Sequence, residues 1–176
     1  MTIELSKRRV ASDRLAAEAR SLLEASTLCA IATVTSGGQA HVNTAYFAWS
    51  NELQLVWLSE PHAKHSRNVR ANGRASVAVY DSAQRWGDRD RGIQLFGRVR
   101  ELEHSAKDGD AEALYAARFP QFRRDELSAY RFYVFQSRRL KMFDENELGA
   151  GVFVTARLAR DRRLVWERTE IYHSAV

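Results

Sequence analysis

The chain has a single cysteine, so Cys29 has no internal disulfide partner. Its place in an apolar, strand-like run reads as a small buried hydrophobe rather than as a nucleophile. No stretch reaches the roughly 18 consecutive apolar residues that suggest a membrane-spanning helix. The N-terminal residues Met1 to Asp13 are polar and charged, with no apolar signal core, and a cytoplasmic protein is the expectation. Also missing are a nucleophile elbow, a phosphate-binding loop and a dinucleotide fingerprint; the nearest glycine cluster, Ser36-Gly37-Gly38-Gln39, joins two strand-like segments and does not precede a helix. His62 and His65 stand three apart without a third ligand at a zinc-like spacing, so no metal site is predicted. Internal repeats and low-complexity segments are absent too. No catalytic residue is assigned, and an enzyme built on these residues would leave its chemistry to a cofactor.

What is present describes one globular unit. The 176 residues suit a single domain spanning 1–176 and are 45% hydrophobic and 28% charged. The formal charge of +5 favours anionic partners. The arginines are dispersed, however: Arg85, Arg89 and Arg91 in one loop, Arg123 and Arg124 in another, Arg138 and Arg139 in a third. With no helix-turn-helix, zinc-finger or stacking-sheet signature beside them, nucleic acid is an unlikely partner.

Hydrophobic periodicity gives a mainly β chain with a few short helices. A helix from Arg14 to about Glu24, capped by Ser12 or Asp13, carries the stripe Leu15, Ala19, Leu22. Strands are predicted over Leu28 to Thr35 and Gln39 to Trp49, joined by a tight glycine turn. Ile93 to Leu102 alternates, with Gly97 suggesting a bend or bulge. A helix from Ala111 to Phe119, ended by Pro120, precedes a long strand from Tyr130 to Phe143 whose register changes near Ser137. The last strands are Gly151 to Leu158 and Arg163 to Arg168, with Trp166 and Tyr172 as candidates for a subunit contact. Trp86, in a polar loop, is expected to pack back onto its own domain. Six to eight short antiparallel strands imply a closed or partly closed barrel, because an open sheet would leave adhesive edges.

The stretch from Leu53 to Asp81 reads strand, short helix, strand. Ser59 is placed to cap the helix, Pro61 suits its first turn, and Gly73 stops it. Such a helix aims free N–H groups and a positive dipole end at the exit of the preceding strand, where an anion can be held. Lys64, Arg67 and Asn68 share one face. A solvated surface helix is the commoner meaning of the same pattern.

The order of these segments carries a resemblance. A covering helix, the hairpin LCAIATVTSGGQAHVNTAYFAW and then LVWLSEPHAKHSRNVRANGRASVAVYD together resemble the pyridoxamine 5′-phosphate oxidase-like family of flavin-binding split barrels. The resemblance covers roughly Arg14 to Leu102, and more loosely Tyr130 to Phe143. It implies a dimeric split barrel: a homodimer with FMN held at the subunit interface, acting as an oxidoreductase on an unidentified small molecule. Carried over by position, Asn43, Thr44 and Ala45 match the segment beside the flavin ring and ribityl chain, and Leu58, Ser59 and Lys64 match the phosphate end, with His65 and Asn68 next to them. His41 joins Asn43 and Thr44 as a candidate donor to the ring. The second strand reads H-V-N-T-A and lacks the arginine-led pattern of pyridoxamine oxidase itself. An F420-dependent reductase, or a flavin or haem carrier without turnover, is equally compatible.

Overall fold

The computed structural model describes residues 2–81, 83–103 and 109–173. In chain order the elements are β1 (Thr2–Ser6), α1 (Ser12–Glu24), β2 (Leu28–Val34), β3 (Ala40–Trp49), β4 (Gln54–Ser59), α2 (Lys64–Ala71), β5 (Arg74–Tyr80), β6 (Arg91–Glu101), α3 (Gly109–Arg118), β7 (Arg131–Asp144), β8 (Val152–Leu158) and β9 (Leu164–His173). The strands form one sheet in the order β1-β9-β8-β7-β4-β3-β2-β5-β6, and β6 pairs back onto β7. Six strands thereby close into an antiparallel barrel, the split-barrel architecture expected, and three more extend the sheet. The described residues thus hold nine strands, not six to eight. The strand missed is β1: four of its five residues are exposed and the last is half-buried, so no apolar alternation announces it, and it is held by backbone pairing from Thr2↔His173 to Ser6↔Thr169. No helix among the described residues is long and apolar enough to cross a membrane.

The chain divides into two compact units, one of Met1–Ser26, Ala78–Leu95 and Arg138–Val176, the other of Thr27–Val77 and Phe96–Ser137. In the second unit, β2 and β3 pair from Leu28↔Tyr46 to Val34↔Ala40, and β4 pairs with β7 from Gln54↔Gln136 to Ser59↔Arg131. Strict alternation sorts their side chains. Phe47, Leu55, Trp57, Tyr133 and Phe135 face one way and are inaccessible to solvent. Ala48, Val56, Phe132 and Val134 face the other way and pack under Ala111, Tyr115 and Phe119 of α3 and the residue that follows it. Each large apolar side chain buried this way contributes about 1.5–3 kcal/mol. The burial alternation of β7 slips at Ser137, as the sequence predicts: Ser137 is buried, both following arginines are exposed, and the Ser137 hydroxyl donates to the Leu53 carbonyl at 2.7 Å. Gly97 has a different reason from a bend. A Cβ there would run into the backbone carbonyl of Gln136, so only glycine permits this approach of β6 to β7.

In the first unit, Leu15, Ala19, Leu22 and Leu23 of α1 are buried as the stripe requires. The helix starts without a side-chain cap, its N-cap position being Ala11 and not Ser12 or Asp13. β9 runs five residues beyond Arg168 and carries a bulge, with Thr155 opposite Arg168 but Ala156 opposite Trp166. Trp166 donates to Thr169 at 3.0 Å under the Arg9 guanidinium, and Tyr172 packs on Phe153 at 4.7 Å, so both rings find contacts inside their own unit. Trp86 does not pack back: it is fully exposed. Its loop is polar on both sides and offers no apolar surface to receive the indole.

Candidate functional site

The site begins where two strands stop pairing. β3 is paired with β2 along Ala40–Tyr46, but with β4 only at Phe47↔Trp57, Ala48↔Val56 and Trp49↔Leu55. Beyond Phe47 the facing edges of β3 and β4 separate, and a pocket of about 290 Å³ occupies the gap. Asn43, Thr44, Ala45 and Tyr46 form one wall; Leu58 and Ser59, the last residues of β4, form the second, with His65 of α2 beside them. Tyr115, Leu127 and Tyr130 close the far side. Strand edges without a strand partner present backbone N–H and C=O groups to whatever fills the gap.

Six of the eight residues singled out in the sequence therefore line one pocket. Lys64 and Asn68 do not. Lys64 is the exposed first residue of α2, and the Asn68 amide is buried and donates to Thr33 Oγ1 at 3.0 Å, inside the protein. The helix also begins later than predicted. Residues 60–63 make a separate turn, closed by Ala63 N–H to the Glu60 carbonyl at 3.1 Å, and the N-cap is Ala63. Ser59 caps nothing. Its buried hydroxyl instead makes a short hydrogen bond to His65 Nε2, and Ser66 Oγ, which donates to the Glu60 carbonyl at 2.8 Å, lies 3.5 Å from it. Arg70 ties the same turn down from outside, donating to the Pro61 carbonyl at 2.6 Å while paired with Glu101.

Among the described lining residues there is no lysine or arginine, and His65 is the one group able to carry positive charge. Burial, followed by the neighbouring His41, holds its imidazole below the usual histidine value, so it is neutral at pH 7. The two imidazoles lie parallel with centroids 6.3 Å apart. On the far wall, burial pushes the Tyr115 phenol above its ordinary value, which keeps it a hydrogen-bond donor at neutral pH. Asn43 supplies the opposite need: among the described residues its Oδ1 is buried without a partner, while its Nδ2 reaches the Thr44 carbonyl at 3.5 Å. An unpaired buried acceptor costs roughly 1–3 kcal/mol until a donor arrives. The pocket thus offers an acceptor, phenol donors, open backbone edges and aromatic walls to one face of a planar polar molecule.

The sequence reading missed Tyr46, Tyr115, Leu127 and Tyr130. Tyr46 adjoins the Asn43–Ala45 run and was within reach of it. The other three arrive with the segment between β6 and β7, and no spacing in the sequence relates that segment to β3.

The family model for pyridoxamine 5′-phosphate oxidase matches residues 15–144, which include every residue of this pocket. The chain belongs to this family. Solved structures agree with the barrel. An FAD-binding protein from Mesorhizobium loti superposes with a TM-score of 0.60 at 21% identity, over 80% of this chain and 94% of that one. HutZ, the haem storage protein from Vibrio cholerae, gives 0.60 at 20% identity over 69% and 88%. A protein of the pyridoxine phosphate oxidase family from Clostridium acetobutylicum, related to general stress protein 26, gives 0.62 at 12% identity over 85% and 97%. No curated protein sequence matches the chain significantly.

Proposed function

We propose that this member of the pyridoxamine 5′-phosphate oxidase family binds FMN in the gap between β3 and β4 and acts in the cytoplasm, as a homodimer, as a flavin-dependent oxidoreductase on a small molecule. The observation that carries the reading is the unpaired strand edge with the orphaned Asn43 Oδ1, beside the Ser59–His65 pair. The polar edge of a flavin ring has both donors and acceptors and suits that edge. The phosphate end suits Ser59, His65 and the first turn of α2, whose leading N–H groups have no partner within the helix and where Lys64 stands free to swing in. When bound, the flavin supplies hydride or electron transfer. The chain's own residues do the rest: Asn43, Thr44 and Ala45 orient the ring, and Tyr115, Leu127 and Tyr130 keep water from it. Tyr115, protonated, donates a hydrogen bond into the pocket.

The homodimer is supported by the outer face of the β2–β3 hairpin. Leu28, Ala30, Ala32 and Val34 stand opposite Tyr46, Thr44, Val42 and Ala40, and only Thr44 is polar. Leu28, Val42 and Tyr46 are 41%, 62% and 57% exposed. An uncovered apolar sheet face of this kind marks an interaction surface. Thr44 and Tyr46 belong to that face and to the pocket alike, so a second copy seated there adjoins the bound ligand.

The test is the absorption spectrum and mass of whatever copurifies, followed by titration of the ligand-free protein with FMN and F420 side by side. Saturable FMN binding with reduction by a nicotinamide donor supports the proposal, and a colourless protein that ignores FMN refutes it. One observation favours a second reading, haem binding: the parallel imidazoles of His41 and of His65, which lines the pocket, on a fold shared with HutZ. A haem spectrum lost in the His65→Ala variant would establish that reading in place of the first.

A further inference from the structure

α1 carries one acid on the face that it buries. Glu18 lies within the stripe of Leu15, Ala19 and Leu22 and is only 8% exposed. Its carboxyl lies beside that of Asp144, the last residue of β7, and its Oε1 is buried with no hydrogen-bond donor to satisfy it among the described residues. Asp144 is 1% exposed. Its Oδ1 accepts the backbone N–H groups of Asn146 at 2.9 Å and Glu147 at 3.3 Å, and its Oδ2 faces Arg91 Nε at 3.0 Å. Arg91 also donates to Ser21 Oγ of α1 at 3.2 Å. The charged groups that face Glu18 are therefore Asp144 from β7, Glu147 from the turn after it and Arg91 from β6. That makes three acids around one guanidinium already engaged by Asp144.

Ionising Glu18 as well would leave an uncompensated buried negative charge, which is strongly unfavourable. Protonated, it can give Asp144 an O–H···O⁻ hydrogen bond, one of the strongest available to side chains. We propose that this proton is a latch: the Glu18–Asp144 hydrogen bond fastens α1 to the end of β7, and loss of the proton loosens the helix. Burial, then the charge of Asp144, pushes the Glu18 carboxyl from 4.5 up to about 7. Because the folded-state value exceeds that of the unfolded chain, the stabilisation is complete below about pH 4.5 and disappears as the pH rises through about 7. The device thus operates near neutrality. It is independent of the flavin pocket, none of whose residues takes part.

Trypsin can read the latch, since Arg14 and Arg20 lie in α1. Glu18→Gln keeps the shape and a donor but cannot ionise. At pH 8.5, cleavage after Arg14 and Arg20 is expected to be on the order of a hundredfold faster in the wild type than in Glu18→Gln, following the whole titration from 4.5 to about 7. At pH 6 the excess is expected to be about tenfold smaller, and it closes fully only towards pH 4.5. A ratio that is the same at both pH values overturns the proposal. Should Glu18→Gln not fold, infrared spectroscopy of the wild type with isotope-labelled glutamate decides the matter. A protonated glutamate carbonyl band present at pH 6 and gone at pH 8.5 supports the latch, and absence of that band at pH 6 overturns it.

Discussion

Replacing Ser59 by alanine removes one oxygen from the junction of β4, the 60–63 turn and α2. Ser59 is 7% exposed, its hydroxyl is bonded to His65 Nε2, and Ser66 Oγ lies at 3.5 Å. For the folded protein the loss is a neutral hydrogen bond, about 1 kcal/mol, because Ser66 retains its bond to the Glu60 carbonyl. For FMN the loss is larger. A hydrogen bond to a charged phosphate is worth about 1.5–3 kcal/mol, which corresponds to roughly a ten- to hundredfold rise in Kd. His65→Ala should cost a similar amount. The double variant should cost less than the sum, by about 0.5 kcal/mol or more, because each side chain positions the other. Quenching of flavin fluorescence at fixed salt measures all four corners of the cycle. Riboflavin, which has no phosphate, is the control, and its affinity should barely respond. If FMN and riboflavin weaken equally, or FMN binding does not change in either single variant, the pair does not hold the phosphate.

Lys64 is exposed, so Lys64→Ala should weaken FMN binding only about threefold, and high salt should erase the difference between the two proteins; an unchanged Kd at low salt would remove Lys64 from the site. Val42→Glu places a charge on the uncovered β2–β3 face and should turn a dimer into monomers in sedimentation velocity, whereas a dimer that survives it must use another surface. Gly97→Ala drives a methyl group into the Gln136 carbonyl and against the Phe135 ring, which should cost about 2–3 kcal/mol in urea unfolding. Full stability in that variant would show that β6 and β7 can move apart freely.

How much of this was legible beforehand depends on how each residue is held. Asn43, Thr44, Ala45, Leu58, Ser59 and His65, which line one pocket, are named in the sequence through the family resemblance, which carries them over by position and rests on the order of the segments. Tyr115 and Tyr130 are not, since their arrival depends on α3 packing Tyr115 and Phe119 onto Val56, Phe132 and Val134, a tertiary preference with no local signature. Ser59 was read as a cap because serine before a helical pattern usually is one. The turn at residues 60–63 defeats that rule by delivering His65, and not a backbone N–H, to its hydroxyl. β1 leaves no trace because four of its five residues are exposed, and backbone pairing with one ion pair, Glu4 to His173, holds it against β9. Nothing in the helical pattern of α1 sets Glu18 apart, because the acid beside it comes from β7.

Thr44 and Tyr46 stand on the boundary between the pocket and the uncovered sheet face. In the proposed homodimer, a ligand that strengthens self-association is itself strengthened by it, by the same factor. Diluting the protein would then lower its apparent grip on the cofactor, and stripping the cofactor would raise the concentration at which two chains stay together. An affinity measured at a single protein concentration would describe the mixture of species in the cuvette, not the site.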